Sequence, residues 1–242
     1  MNAHPQSWLS LENLGSSIPP YCPTYDYPPP FIDRTHRGIA QSPLKDGLVQ
    51  IKDRRWFGKV IPGWLRLEDA LKLYEMAFFA DGDILELGSY HGLSTNIIAR
   101  ACRNSSPKKQ IVSIDLDPTC TKITRTSIDR SGLRTYVTTI TMDAVSAVAD
   151  YEHKNKQFAF VFIDHSHAYQ PVFEVCKSLH HIVVPGGFCL FHDFNDIRNS
   201  DPLDIEYGVF QAVQEGLDKE SFDFFGIYGC TGLYRRNDTP DS

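Results

Sequence analysis

The sequence predicts an α/β protein with a doubly wound, mostly parallel sheet of seven strands that ends in an antiparallel pair. Short apolar runs of strand length alternate with helical patterns between residues 84 and 219, as in successive βαβ units. One run, residues 158–163, is apolar throughout, which is typical of a strand buried on both faces. The chain has 242 residues, enough for one such domain with additional segments.

The elements are expected in a regular order after a first helix over residues 66–80. Strands are predicted at 83–87, 110–115, 135–140, 158–163, 188–192, 222–228 and 232–235. Helices are predicted at 92–103, 118–131, 144–151, 169–183 and 206–219. Pro185-Gly186-Gly187 reads as a turn before the fifth strand, and the turn at 228–232 makes the last two strands an antiparallel edge.

Charge and composition exclude several classes of protein. The net charge is −6, and the basic pairs Lys108-Lys109 and Arg235-Arg236 read as solvated ends of elements, so a nucleic-acid partner is not expected. The six cysteines include no C-x-x-C pair, which argues against a zinc motif and suits a reducing cytoplasm. The sequence shows no secretory signal pattern and no apolar run of roughly 20 residues, so we expect a cytoplasmic protein without a membrane partner.

Residues 1–60 differ from the remainder, and we treat them as an N-terminal arm preceding a domain over residues 61–242. Prolines at 19–20, 23 and 28–30 alternate with tyrosine and phenylalanine, which disfavours regular structure yet is too aromatic for an ordinary disordered tail. The arm either packs on the domain or a partner subunit, as in a homodimer, or forms a lid over the substrate. Aromatic residues nearby either line the same pocket or belong to the core: Trp56, Phe57, Trp64 and Tyr74.

The segment from Ile84 to Ala99 is the most informative part of the chain. It reads as a buried strand, a glycine-containing turn and a helix, and such a turn brings bare backbone close to a ligand. It is not the dinucleotide fingerprint G-x-G-x-x-G, because Tyr90 and Leu93 stand at glycine positions. It is not a phosphate-binding P-loop either, since no Gly-Lys-Ser/Thr follows.

Position by position, this segment resembles motif I of the class I S-adenosylmethionine (SAM) methyltransferases, h-h-E-x-G-x-x-x-G, which have a Rossmann-like seven-stranded sheet. The resemblance implies SAM as cofactor. Together with the strand-end residues discussed below, it assigns cofactor contacts to Glu86, Gly88, Ser89, Tyr90, Gly92, Asp115, Leu116, Asp143, Ala144, Asp164 and His165.

Acidic residues follow the second and third predicted strands, where ligands bind in open α/β sheets. Asp115 stands at the distance from the glycine loop at which a carboxylate accepts hydrogen bonds from a ribose diol. The resemblance gives it that role, with Leu116 packing on adenine. It also places Asp143 at the adenine amino group, while Asp143 and Asp117 each precede a predicted helix and are expected to act as N-caps.

The densest polar cluster follows the fourth and fifth predicted strands. Residues 163–169 read Ile-Asp-His-Ser-His-Ala-Tyr, and His192-Asp193 follows Pro185-Gly186-Gly187. These motifs, in this order, resemble the type 24 subgroup of methyltransferases, which is related to the macrocin and catechol O-methyltransferases. The resemblance covers residues 84–220.

Two carboxylates on adjacent strand ends can share a hard cation such as Mg²⁺, which would lower the pKa of a bound hydroxyl. The resemblance makes Asp164 and Asp193 the metal ligands. However, catechol-type enzymes carry an asparagine directly after the second aspartate, and here that residue is Phe194, with Asn195 one position later. The alternative is that Asp193 positions the substrate and Asp164 orders the cofactor pocket without metal.

His167 lies three residues after Asp164, where catechol-type enzymes carry a lysine base. An imidazole can accept a hydroxyl proton near neutral pH, so His167 is the candidate general base and His192 the second candidate. The catalytic set is therefore His167, His192 and Asp164. Alternatively, one of these histidines only caps the helix near residue 169 or fixes the loop.

We expect a SAM-dependent methyltransferase that acts on a hydroxyl group of a small molecule, such as a natural product or sugar, by direct displacement. One alternative keeps SAM and changes the chemistry, to cyclisation or to N- or C-methylation. Another is a non-enzymatic scaffold that retains the fold, which an intact motif I disfavours.

Overall fold

The computed structural model describes residues 61–237. Its helices are α1 (Leu67–Phe79), α2 (Leu93–Asn104), α3 (Pro118–Ser131), α4 (Ala144–His153), α5 (Tyr169–Ile182) and α6 (Val209–Gly216). Its strands are β1 (Ile84–Leu87), β2 (Ile111–Asp115), β3 (Val137–Thr141), β4 (Phe158–Ile163), β5 (Val183–Phe191), β6 (Phe222–Tyr228) and β7 (Thr231–Arg236). The predicted arm, residues 1–60, lies outside the described residues.

All seven strands form one sheet in the order β3-β2-β1-β4-β5-β7-β6. The pairs among β1 to β5 are parallel, whereas β7 pairs antiparallel with both β5 and β6. This arrangement confirms the doubly wound sheet with its antiparallel ending. The strand order reverses beside β1, so the carboxyl ends of β1 and β4 form the crevice in which such sheets bind ligands.

Apolar side chains cover both faces of the sheet. Residues of β4 are buried throughout, and Leu85, Val161 and Phe191 pack on one face with α4, α5 and α6. Ile84, Phe160 and Leu190 pack on the other with α1 and α2. Cores on both faces hold the central strands rigidly, so the loops after them present polar groups at fixed positions.

The fifth strand departs from the prediction. Pro185-Gly186-Gly187 lies within β5 rather than before it. Phe158 pairs with Val183 and Phe160 pairs with Phe188, so the residues between them on β5 bulge out of the ladder. A bulge with Gly186 at φ +76° keeps the strand pairing on both sides, which a turn signal in the sequence does not reveal.

Two other expectations are wrong. The last helix is shorter than residues 206–219, because Tyr207 closes a turn onto Asp204 before α6 begins. Lys109 and Arg236 are buried rather than solvated. Lys109 Nζ donates to the carbonyl oxygens of Phe78 and Ala80 at the end of α1, and Arg236 Nη1 donates to the carbonyl oxygen of Val183. Within residues 61–237 the helices are too short or too polar to cross a membrane.

Candidate active site

A cavity of about 560 Å³ opens at the carboxyl ends of β1, β4 and β5. Its volume lies in the usual range of small-molecule sites. Predicted site residues from all three strand ends line it, namely Gly88, Ser89, Tyr90, Asp164, His165, His167, His192 and Asp193. The fold therefore brings the predicted cofactor loop and the predicted catalytic residues to one cavity.

Gly88 directly follows β1, at a point where the chain after β4 passes very close to it. Its N–H donates to the carbonyl oxygen of Ile114, and its φ is +95°. A Cβ on residue 88 would lie 2.0 Å from the backbone oxygen of Asp164, a distance that no side chain tolerates. Glycine is required here because the chain after β4 passes directly against it.

Gly88→Ala is therefore expected to destabilise the protein by about 2–3 kcal/mol, because the loop after β4 must move and the backbone is strained. The matched control is Gly132→Ala at the end of α3, which also has positive φ (+69°) but has no atom within 4 Å of the added Cβ. We expect Gly132→Ala to lower the free energy of unfolding by about 1 kcal/mol. Urea unfolding of both variants measures the difference, and equal losses would contradict the close-approach argument.

Asp115 holds the glycine loop by hydrogen bonds, although it does not line the cavity. Its Oδ2 accepts hydrogen bonds from the backbone N–H groups of Ser89 (3.0 Å) and Tyr90 (2.7 Å). Its Oδ1 accepts one from the N–H of Asp117 (2.9 Å). The Ser89 hydroxyl also donates to Oδ2 (3.3 Å), so capacity for a further donor remains on Oδ1, which has two lone pairs and accepts one N–H. The loop conformation, with Tyr90 at φ +45°, depends on this carboxylate.

The remaining predicted cofactor residues lie outside the cavity lining. Leu116 is 71% exposed after β2, and Met142 after β3 is also exposed. Asp143 caps α4 by accepting from the N–H of Ser146 (2.8 Å), with Ala144 the first residue of that helix. Exposed apolar side chains beside an acidic residue suit the face and edge of a purine. Gly92 is the left-handed N-cap of α2 and packs on Thr124.

Glu86 is buried in β1 beneath the loop. Its Oε2 accepts hydrogen bonds from Thr95 Oγ1 (2.6 Å) and Ser113 Oγ (2.5 Å). Its Oε1 is buried without a hydrogen-bond partner among the described residues. Burial raises the pKa of Glu86 to about 7 despite these hydroxyl donors. Glu86 therefore packs beneath the glycine loop. Its side chain would contact a ligand only if the side chains around it moved apart.

Glu86→Gln is expected to change how stability depends on pH. Because the folded pKa of about 7 exceeds the ordinary value of 4.5, ionisation of Glu86 lowers stability progressively from pH 4.5 to 7. The free energy of unfolding of Glu86→Gln should exceed that of wild type by a difference that grows to about 3 kcal/mol as the pH rises from 4.5 to 7. Above pH 7 the difference should stay constant. Urea unfolding from pH 4.5 to 8 measures this. Glu206→Gln, at an exposed position, is the control.

Two aspartates and two histidines meet at the ends of β4 and β5. His192 Nδ1 lies 3.0 Å from Asp164 Oδ1 and 3.5 Å from Asp193 Oδ2. His167 Nε2 lies 3.0 Å from Asp193 Oδ2 and 3.7 Å from Asp164 Oδ1. Asp193 has φ +54°, a strained conformation that marks functional positions. The four side chains form one cluster of alternating acids and bases.

The cluster shifts the pKa of every member. Burial alone would lower the pKa of both histidines, but the two carboxylates outweigh it and raise the pKa of His167 and, more strongly, that of His192. Burial would likewise raise the pKa of Asp164 and Asp193, yet the imidazoles keep both below their usual range. His165, beside the cluster, is different, because burial lowers its pKa to about 4 and keeps it neutral.

Asp164 and Asp193 lie together, as the prediction of a Mg²⁺ site requires, but two histidines share their oxygens. Mg²⁺ takes oxygen ligands in an octahedron, and here half of the converging donor atoms are imidazole nitrogens. Phe194, at the position of the third oxygen ligand in catechol-type enzymes, is fully buried against Phe210 and Tyr234. We therefore derive no catalytic step from Mg²⁺.

Several cavity residues were missed by sequence reasoning. Asp69 of α1 accepts from the N–H groups of Arg66 (2.8 Å) and Cys230 (2.7 Å) and faces His192. It looks like an ordinary acidic residue in the first turn of a helix, so the sequence carries no signal for it. Tyr74, left open between pocket and core, is buried in the core, whereas Trp64 lines the cavity at 64% exposure.

Arg198 and Tyr207 also line the cavity, and the sequence did not indicate either of them. The Arg198 guanidinium lies 3.7 Å from the centre of the Tyr207 ring, and Tyr207 stacks on His167 at 5.0 Å. Asp196 holds Arg198 through two hydrogen bonds of 2.8 and 2.7 Å. The Tyr207 ring covers one face of the His167 ring, and only folding of the loop before α6 brings it there.

Comparison with known proteins agrees with this geometry. Residues 85–194 match the model of a methyltransferase domain family, type 24. An O-methyltransferase from Bacillus cereus in complex with S-adenosylhomocysteine (SAH) is 20% identical with a TM-score of 0.58, over 72% of this chain and 83% of that one. The O-methyltransferase TomG from Streptomyces achromogenes, in complex with SAM, is 16% identical with a TM-score of 0.56. The match covers 85% of this chain and 90% of TomG.

A SAH-bound methyltransferase from Podospora anserina is 17% identical, with a TM-score of 0.58 over 73% of this chain and 80% of that one. At these identities the structural likeness establishes the fold. No curated protein matches the chain at a significant level.

The fold is that of the class I SAM-dependent methyltransferases. Within that fold, residues 85–194 match the model of the type 24 methyltransferase domain.

Proposed function

We propose that this protein transfers the methyl group of SAM to a hydroxyl oxygen of a small molecule. The observation that carries the proposal is the shared cavity, lined by Ser89 and Tyr90 of the cofactor loop and by His167 of the acid–base cluster. A methyl donor and a hydroxyl acceptor must meet at one point, and a base must stand beside the acceptor. The two solved O-methyltransferases of the same fold, in complex with SAH and SAM, support this chemistry.

In this proposal, a different group of residues contacts each part of SAM. The loop at Gly88-Ser89-Tyr90 would border its methionine end, Asp115 its ribose, and Leu116 with Asp143 its adenine. SAM supplies an electrophilic methyl group on a positively charged sulfur. The carboxylates near the cavity favour a cationic ligand, and the protein's part is to hold the acceptor oxygen in line with that methyl group.

His167 is the group that would accept the proton of the acceptor hydroxyl. It is 33% exposed to the cavity, whereas His192 is buried between Asp69 and Asp164. Asp193, at 3.0 Å from His167 Nε2, stabilises the imidazolium that proton transfer creates. The Tyr207 stack keeps the ring oriented during this step.

We propose a small natural product or sugar as the acceptor, because a cavity of about 560 Å³ must hold the methionine end of SAM and the acceptor together. One neighbour of the same fold, TomG, is involved in tomaymycin synthesis, which favours a natural product.

The test is incubation with SAM and a panel of phenols, sugars and polyketides, with SAH and the methylated product measured by mass spectrometry. SAH formed with a methylated hydroxyl supports the proposal. Release of methylthioadenosine instead would replace it with a reaction that consumes SAM without methyl transfer. Calorimetric titration of SAM measures cofactor binding independently of the acceptor, and absence of binding would leave a scaffold role.

We also propose that residues 1–60 form an arm distinct from the domain over residues 61–242. Pro62, Gly63 and Trp64 line the cavity, so the chain enters the domain at the rim of the site. Light scattering of the full chain in solution tests whether the protein is a homodimer.

A further inference from the structure

Arg198 gives one end of the cavity a positive charge that the proposed function does not use. Arg198 and Tyr207 belong to the segment between β5 and α6, and both line the cavity together with His167. The guanidinium carbon lies 3.7 Å from the centre of the Tyr207 ring, and that ring lies 5.0 Å from the centre of the His167 ring. Since arginine is charged at every working pH, the stack holds a cation at a fixed position beside the proposed base.

Asp196 fixes the orientation of this guanidinium. Its carboxylate, only 13% exposed, accepts hydrogen bonds from Arg198 Nε (2.8 Å) and Nη2 (2.7 Å). The backbone N–H of Asp196 donates to the carbonyl oxygen of Asp193 (3.2 Å), which ties the pair to the end of β5. A guanidinium held along one edge and covered on one face is already ordered, so binding a ligand costs it little further side-chain entropy.

The rest of the guanidinium remains available to a ligand. A guanidinium has five N–H donors, and Asp196 takes two of them. Among residues 61–237, no group accepts a hydrogen bond from the other three donors. Arg198 is half-exposed and lines the cavity, and its planar array of donors matches the oxygens of a carboxylate or a phosphate.

The remaining charges of the cavity set the direction in which an acceptor would lie. Asp164 and Asp193 face His192 and His167, so these acids and bases offset one another. A negative group placed beside the two carboxylates would be repelled, whereas at the Arg198 end it would be attracted. An acidic acceptor would therefore place its oxyanion at Arg198 and its hydroxyl group at the base.

We propose that Arg198 binds an oxyanion of the acceptor, a carboxylate or a phosphate, and thereby selects acidic hydroxyl compounds as substrates. Tyr207 is the spacer that sets the distance between this oxyanion and the hydroxyl beside His167. Arg198 is then a specificity-determining residue. The inference rests on the proposed function in treating the bound compound as a methyl acceptor, but the oxyanion site can be tested without methyl transfer.

The binding test is calorimetric titration of the full-length protein, in excess SAH, with benzoate, phenyl phosphate and benzamide. Benzamide has nearly the shape of benzoate without its charge. We expect at least one of the two anions to bind at least about tenfold more tightly than benzamide, because charge-assisted hydrogen bonds are about twice as strong as neutral ones. The tighter anion identifies the oxyanion. A smaller preference for both anions, or no detectable binding of either, would overturn the proposal.

Variants assign the preference to a residue. Arg198→Gln should abolish the preference for the anion, and Arg198→Lys, which keeps the charge without the planar donors, should retain part of it. A purely structural role of Arg198 would instead weaken benzoate and benzamide binding equally. Arg134→Gln is the matched control, because Arg134 also pairs with an aspartate, Asp129, but on the surface and away from the cavity lining. Arg66 also lines the cavity, and loss of the preference in Arg66→Gln but not in Arg198→Gln would overturn the assignment.

Kinetic measurements separate this proposal from the proposed function. The acceptor found in the panel should carry a carboxylate or phosphate, and its neutral amide or ester should have a KM at least about tenfold higher, with a smaller change in kcat. Equally efficient methylation of neutral and acidic hydroxyl compounds would keep the proposed function and overturn the oxyanion site. An anion preference that depends on Arg198, in a protein that methylates no acceptor, would keep the oxyanion site and remove the proposed function.

Discussion

Asp115→Ala is expected to weaken SAM binding by about 100-fold or more. A charge-assisted hydrogen bond to a ribose hydroxyl contributes about 1.5–3 kcal/mol, and each 1.4 kcal/mol is tenfold in affinity. The substitution also removes the acceptor for the N–H groups of Ser89 and Tyr90, so the glycine loop loses the contact that orders it. Calorimetric titration of SAM into both proteins measures the change.

Asp117→Ala is the matched control for this experiment. Asp117 lies two residues further along and caps α3 by accepting from the N–H of Thr119 (2.7 Å). Only its backbone N–H contacts Asp115, and alanine retains that group. We expect Asp117→Ala to leave SAM affinity within about twofold of wild type. Equal losses in the two variants would show that helix α3, rather than the Asp115 carboxylate, sets SAM affinity.

His167→Asn is expected to lower kcat by about 10²–10⁴-fold without changing SAM affinity, because loss of a general base slows proton removal and leaves the cofactor contacts intact. Asparagine retains a donor toward Asp193, so the loop should keep its conformation. The measurement is steady-state kinetics with the acceptor found in the panel, combined with calorimetric titration of SAM.

His181→Asn serves as the control, since His181 contacts Glu152 at 3.2 Å on the surface and lies away from the cavity lining. It should retain wild-type kcat. A decrease of less than tenfold in His167→Asn would assign the base to another group. A parallel loss of SAM affinity would indicate that His167 shapes the cofactor site instead of the proton transfer.

Local patterns predicted most of the elements well. The bounds of α3 and β4 agree with the predicted 118–131 and 158–163, because a proline at the start and Gly132 at the end delimit the helix and an unbroken apolar run defines the strand. The predictions failed where tertiary contacts override local signals. Pro185-Gly186-Gly187 is held inside β5 by pairing on both sides, and Lys109 is buried by the carbonyls that end α1.

Several parts of the candidate site could also be predicted. The βα alternation predicts parallel strands, and the carboxyl ends of parallel strands lie at one edge of a sheet. The positions at or after strand ends could therefore be predicted to lie at that edge: Gly88, Asp115, Asp164, His167 and Asp193. What could not be predicted is the set of neighbours from distant segments. Asp69 reaches His192 from a helix more than a hundred residues earlier in the chain.

The sequence by itself determined the fold class, the cofactor loop and which strand ends carry polar groups, because these depend on periodicity and on short motifs within single elements. Only the tertiary structure decided the environment of each group. It placed Asp69 behind His192, Tyr207 and Arg198 on His167, and Phe194 in the core. Distances and burial between separate elements set pKa values and ligand geometry, and no local pattern encodes them.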